Sequence, residues 1–284
     1  MIHDVLAHPL FAATLLAYAV ALAAYGAALR WRRPATARLA TTSIGLSAAL
    51  NLALFAQRWI EAGRPPLKTL HETLILLALA ITLVHLAIEA LHGTRLFGPF
   101  AASGALGALV YAVVRWDTQV VRLPPALQSA WFVPHIVVYF VGYGAAFVAT
   151  AASALQLAAA RSPALARRLA PHLDAAPEAV TVRLEAAAFG AIRFGFVLLT
   201  LGLLMGAAWA HGAWGDYWAW DPKETWSLVS WLVYAAFLHL HRLERWRGSR
   251  GAWLAIAGFA AVAFTYLGIG LLPSANQSAH VYSD

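Results

Sequence analysis

The chain of 284 residues contains no cysteine. That absence excludes disulfides, iron–sulfur clusters, thiolate zinc sites and covalently attached haem on this chain, and it leaves histidine as the main candidate ligand for any iron. Thiol chemistry has to come from a second molecule. Charge is scarce as well, at 12% of residues against roughly 25% in a soluble globular domain, and lysine is reduced to Lys68 and Lys223. Hydrophobic residues make up 61% of the chain, and the mean hydropathy is +0.67. A water-soluble fold is excluded on these figures. Leu10 to Leu29, Leu96 to Val114 and Gly251 to Leu272 hold no charged residue, and each is close to the roughly 20 residues that cross a bilayer as helix.

Spans are expected near 10–29, 39–57, 70–91, 96–114, 131–159, 189–210, 225–241 and 251–272. The runs are continuous rather than alternating, so the expected fold is an all-α polytopic membrane helix bundle of about eight transmembrane helices, forming a single domain over 1–284. The 20 basic residues exceed the 13 acidic ones, but no long polybasic run exists and the arginines sit in short connections, which argues against nucleic acid. With both termini outside, thirteen basic residues fall in inner connections and six in outer ones, leaving Arg193 near the start of the sixth span. This is the asymmetry of the positive-inside rule. Residues 1–9 lack a basic start and contain Asp4, so the first span is read as retained rather than cleaved.

Six of the 12 tryptophans lie between positions 209 and 231. An aromatic belt at the membrane interface is one explanation. The density of Trp214, Gly215, Asp216, Tyr217, Trp218, Ala219, Trp220 and Asp221 favours another, a binding platform for a large planar apolar ligand. Asp221, Pro222 and Glu224 also read as N-cap, first helical residue and third residue of a capped helix that begins the seventh span. Lys223 is either a solvated charge or a partner for an anionic carboxylate.

Among eleven histidines, His135 stands at the outer entrance of the fifth span and His280 follows the eighth, both on the side of the tryptophans. Two imidazoles converging on such a platform would suit six-coordinate iron in a macrocycle. His239 lies 14 residues after Thr225, roughly 21 Å down its helix. His85 is expected at a similar depth in the third span, either as a second ligand or as a buried polar residue bonded to Ser or Thr.

The string Trp209-Ala210, Trp214, Gly215, Tyr217, Trp218, Trp220 to Trp226, Trp231, Leu232, Tyr234 and Leu238-His239 closely resembles the WWD signature of the CcsA (ResC) family. These are haem-handling proteins of system II cytochrome c biogenesis, related more distantly to CcmC and CcmF. Gly63, Pro65, Pro66 and Thr69 to Thr73 resemble the family's segment before span three, and Trp131 to Tyr143 its segment with the first external histidine. The resemblance implies haem b as ligand, with His135 and His280 as external axial ligands and Trp209, Trp214, Trp218, Trp220, Asp221 and Trp226 around it. It implies His239 as one iron ligand of a second site inside the membrane, whose other ligand comes from a CcsB-type partner. It further implies a bacterial inner (cytoplasmic) membrane location with the haem site on the outer face, and thioether attachment to the Cys-x-x-Cys-His motif of apocytochrome c, as a subunit of a cytochrome c synthase. Two departures stand out: family members commonly end in Gly-Leu-His-Ser-Tyr where this chain has Ser278, Ala279, His280, Val281, Tyr282, and His71 stands where Tyr is usual. A b-type electron-transfer cytochrome and a haem permease are the competing readings.

Overall fold

The computed structural model describes residues 8–115 and 123–269, and within them the chain is built from helices and turns. Eight helices of fifteen residues or more match the expected spans: α1 Pro9–Trp31, α2 Pro34–Ala62, α3 Leu70–His92, α4 Gly98–Val114, α5 Phe132–Arg161, α7 Val180–Trp214, α8 Pro222–Leu240 and α9 Ser249–Ala263. The short α6, Pro163–Leu169, lies in the connection before α7. Six of these segments are long and apolar enough to cross a bilayer; α4 is apolar but shorter, and α8 opens with Lys223 and Glu224. The protein is a multi-pass membrane protein.

The described residues form two compact units, one ending at Arg115 and one beginning at Leu123. In the first, α1 packs on α2, α2 on α3, α3 on α4 and α4 back on α1, closing a ring of four helices. α3 is buried along most of its length. Backbone polar groups in such a bundle are satisfied within each helix, so buried polar side chains have to find each other. Near one end of α3, Glu72 is fully enclosed and receives Arg64 through two bonds of 3.0 and 3.1 Å, with the Arg58 Nε at 3.4 Å. The same carboxylate closes a capping box with Thr69. Midway, the Tyr18 hydroxyl meets Thr82 at 2.9 Å and the Asn51 amide at 3.1 Å. At the other end Glu89 gathers Tyr25, Thr41 and Arg95. His85 is fully buried here, its Nε2 2.9 Å from the Tyr25 hydroxyl and 3.3 Å from the Glu89 carboxylate, so its partners are a tyrosine and a glutamate rather than Ser or Thr.

In the second unit α5 packs on α7, α7 on α8, α8 on α9 and α9 on α5. Tyr139, Ile192, Leu199, Tyr234, Phe237 and Val262 are central to its core. The α5–α7 contact is close because it is made of small residues: a Cβ on Gly195 would lie 3.1 Å from the Ala145 methyl, and one on Gly202 only 2.8 Å from the Tyr139 ring. α9 continues into a π-helical turn, Phe264–Gly268.

Candidate functional site

The tryptophan segment is part helix and part loop. α7 runs on to Trp214, beyond the expected end near 210, because nothing before Gly215 stops it. Gly215 adopts φ +92°, a left-handed conformation that glycine takes without strain, and its N–H bonds the His211 carbonyl. Trp209 and Trp214 therefore stand on the last turns of α7, with ring centroids 5.0 Å apart. Trp226 and Trp231 stand on α8. The loop proper is 215–221, with Trp220 68% exposed and Tyr217 stacked on His211 at 4.2 Å.

α8 starts as its residues dictate. Asp221 caps it, accepting the Lys223 N–H at 2.8 Å, Pro222 takes the first position, and Glu224 reaches back to complete a capping box. Glu224 does more than cap: its Oε2 accepts the Ala219 N–H at 2.8 Å and the Asp221 N–H at 3.2 Å. Both neighbours of Trp220 are thus held by one carboxylate. Trp220 itself has φ +57°, an uncommon conformation for a bulky residue that costs on the order of 1–3 kcal/mol and persists only when its surroundings enforce it. Asp221, a candidate binding residue of the tryptophan segment, is engaged in this cap. Desolvation pulls the Lys223 ammonium, which precedes the apolar stretch beginning at Thr225, down to about 8, and the Asp221 carboxylate opposes that shift.

His135 sits in the first turn of α5, half-buried beside this aromatic group. Its ring lies 5.8 Å from Trp209 and edge-on to Tyr139 at 4.9 Å. The His135 Nδ1 is 2.8 Å from the Gly202 carbonyl oxygen on α7. A carbonyl can only accept, so Nδ1 donates here, and in the neutral imidazole the lone pair is then on Nε2. Metal-ligating histidines are oriented in this way, by donating the other ring N–H to a carbonyl or carboxylate. The ring fits there because Gly206 lacks a side chain: a Cβ at that position would meet Cε1 at 2.6 Å. Trp226 packs against Phe264 of the π turn at 4.3 Å, and the Trp231 Nε1–H donates to Thr200 at 2.8 Å.

The structure thus brings His135, Trp209 and Trp214 together and pairs Trp218 with Trp220, their rings 5.8 Å apart. His239 lies apart from them, exposed in the last turn of α8, 17 residues or about 26 Å from its start. His85 belongs to the other unit. His280 lies outside the described residues. Among the described residues no three His, Asp or Glu side chains converge as a set able to hold a bare metal ion. Single imidazoles against indole walls suit a metal that brings its own equatorial donors.

The sequence model of the cytochrome C assembly protein family matches residues 67–275. The chain belongs to this family. The match takes in α3, α4 and everything described of the second unit, including His135, the tryptophan loop and His239. Among curated relatives, the cytochrome c biogenesis protein CcsA of Synechococcus elongatus is 34% identical over 285 residues, covering 86% of this chain and 87% of its own length. CcsA of Synechococcus sp. (strain CC9311) is 38% identical over 256 residues, 80% of this chain and 84% of its own. The role of this cytochrome C assembly protein is cytochrome c biogenesis. The cytochrome c haem lyase CcmF shares its fold, with a TM-score of 0.64 at 19% identity over 90% of this chain. The chain spans 45% of that structure's length.

Proposed function

We propose that this protein takes up haem b at a site near the His239 end of α8, passes it to the tryptophan loop, and presents it there for covalent attachment to apocytochrome c. The observation that carries this reading is the His135 imidazole, fixed by the Gly202 carbonyl with its Nε2 lone pair as the ligating position, beside Trp209. His280 is the proposed second axial ligand at that site. The indoles of Trp214, Trp218, Trp220 and Trp226 supply flat apolar surface for a porphyrin, and the pinned loop fixes how they are offered. With no cysteine of its own, the chain contributes positioning, and the thiols come from the Cys-x-x-Cys-His motif of the acceptor. Each attachment adds S–H across a vinyl double bond: sulfur bonds one carbon, hydrogen the other, and no atom leaves. The tryptophan loop and both termini face outward from a bacterial inner membrane. A CcsB-type partner completes the site at His239 and, with this chain, forms the synthase.

The test is haem loading. The chain purified with its membrane partner is expected to carry histidine-coordinated haem, read by its absorption spectrum and pyridine haemochrome, and His135→Ala is expected to lose the loop-side fraction. A preparation free of haem under every condition would overturn the reading. Unchanged loading and unchanged cytochrome c maturation in His135→Ala would remove the external-ligand assignment.

A further inference from the structure

Two carboxylates stand where the tryptophan loop meets α8. Asp221 Oδ1 accepts the Lys223 N–H at 2.8 Å and shares the capping box with Glu224. Asparagine or serine caps a helix about as well, so this contact is not particular to aspartate. Glu224 reaches further. Its Oε2 accepts the Asp221 N–H at 3.2 Å, which is the bond a capping box requires, and also the Ala219 N–H at 2.8 Å, which lies in the loop two residues outside the cap.

The bond to Ala219 depends on the backbone of Trp220. Alternate N–H groups turn toward one oxygen when the residue between them is left-handed, as in the backbone nests that hold anions, and Trp220 has φ +57°. A bulky side chain does not favour that conformation, so the carboxylate supplies the reason for it. The peptide after Trp220 is held twice, since its N–H meets Glu224 and its carbonyl accepts the Thr225 hydroxyl at 3.4 Å. The φ of Trp220 also decides on which side of the chain the indole leaves. In this setting the indole is largely exposed and stands at 87° to the ring of Trp218, 5.8 Å away.

We infer that Glu224 is a positioning residue of the tryptophan loop: it holds Trp220 left-handed and so fixes how the indole is presented, while Asp221 is a replaceable cap. The inference rests on the reading of the loop as a haem platform. It departs from the sequence resemblance, which sets Asp221 rather than Glu224 around the haem.

The complex with its partner is prepared with 5-fluorotryptophan in this chain, and the Trp220 fluorine resonance is identified by its loss in Trp220→Phe. Each variant is read for that resonance without haem, then for haem affinity and cytochrome c maturation, with thermal unfolding alongside. Glu224→Ala is expected to move or broaden the resonance and to weaken loop-side haem binding about tenfold or more, the worth of one hydrogen bond to a charged group. Glu224→Gln, whose side-chain oxygen can still accept both N–H groups, is expected to restore most of both. Asp221→Asn is expected to stay within about threefold of the starting protein. Ala219→Pro removes the loop donor and leaves the capping box, so it reproduces the effect of Glu224→Ala even where that variant does not fold. In a Trp220→Gly background, with no indole to place and no strain to hold, Glu224→Ala should weaken haem binding no further.

An unchanged Trp220 resonance and haem affinity in Glu224→Ala or in Ala219→Pro overturns the inference. So does a loss in Asp221→Asn as large as that in Glu224→Ala. If Trp220→Gly binds haem like the starting protein, the platform reading fails at that indole, and the fluorine comparison, made without haem, still decides what Glu224 holds.

Discussion

Gly206→Ala tests whether the His135 orientation is built by the α5–α7 contact. The new methyl carbon would stand 2.6 Å from the His135 Cε1 and 2.9 Å from its Nδ1. Ordinary carbon contacts lie near 3.5–4.0 Å, so the ring has to retreat by about 1 Å. That retreat stretches the 2.8 Å bond to the Gly202 carbonyl beyond hydrogen-bonding range. Loss of such an orienting partner costs about 10–100-fold in metal affinity. Stability changes far less, because overpacking of about 1–3 kcal/mol is offset by about 1 kcal/mol of helix propensity gained over glycine. Gly190→Ala, on the same helix with nothing within 4 Å of the added carbon, is the control and should stabilise by up to about 1 kcal/mol without touching the site. The assay is haem titration of the purified protein with thermal unfolding in detergent alongside. In a His135→Ala background Gly206→Ala should have no further effect on haem affinity. Wild-type affinity and spectrum in Gly206→Ala would refute the reasoning, since the ring would then not depend on the space glycine leaves.

Two further outcomes follow from the charges. Glu72→Gln leaves two buried guanidiniums without their shared carboxylate and should lower unfolding stability by about 3 kcal/mol or more, whereas Glu61→Gln, whose contact with Arg58 at 3.7 Å is partly exposed, should cost under about 1 kcal/mol; thermal unfolding of the two variants separates them, and equal small losses would sink the argument. Lys223, with its pKa drawn down to about 8, is about half neutral at pH 8, where an ordinary lysine is under about 1% neutral, so an amine-acylating reagent at that pH should label Lys223 ahead of Lys68 as read by peptide mass spectrometry. The unfolded chain keeps a proton there that the folded chain has lost, so stability should rise with pH between 8 and the ordinary lysine range, and Lys223→Met should flatten that rise.

The number and type of helices were legible because the apolar runs are continuous and near membrane length. So was the start of α8, since Asp221, Pro222 and Glu224 are local signals that act within one turn. The extent of α7 was not. The expected span of 189–210 follows the charge-free run, yet the helix extends on both sides of it, through Arg183 and Glu185 before and Gly212 after, since tertiary packing outweighs the weak propensity of single residues. Trp209 and Trp214 are consequently helix residues rather than loop residues. The carbonyl that orients His135 comes from 67 positions away, a contact no local pattern encodes. A trace of it is nevertheless present: Gly195, Gly202 and Gly206, at spacings of seven and four, mark one flat strip of α7 onto which another helix can press closely. Which helices neighbour each other in the two four-membered rings is likewise invisible to hydropathy, which reports burial but not partners.

Glu224 ties the loop to α8 as one mechanical piece. Because a single carboxylate both caps the helix and grips the backbone on either side of Trp220, the indole cannot shift without the rod behind it shifting too. That rod carries His239 in its far turn. A tilt or roll of α8 of even a few degrees would therefore be felt at both extremities at once, so the two ends of the proposed route are geared together by a helix rather than linked by a hinge.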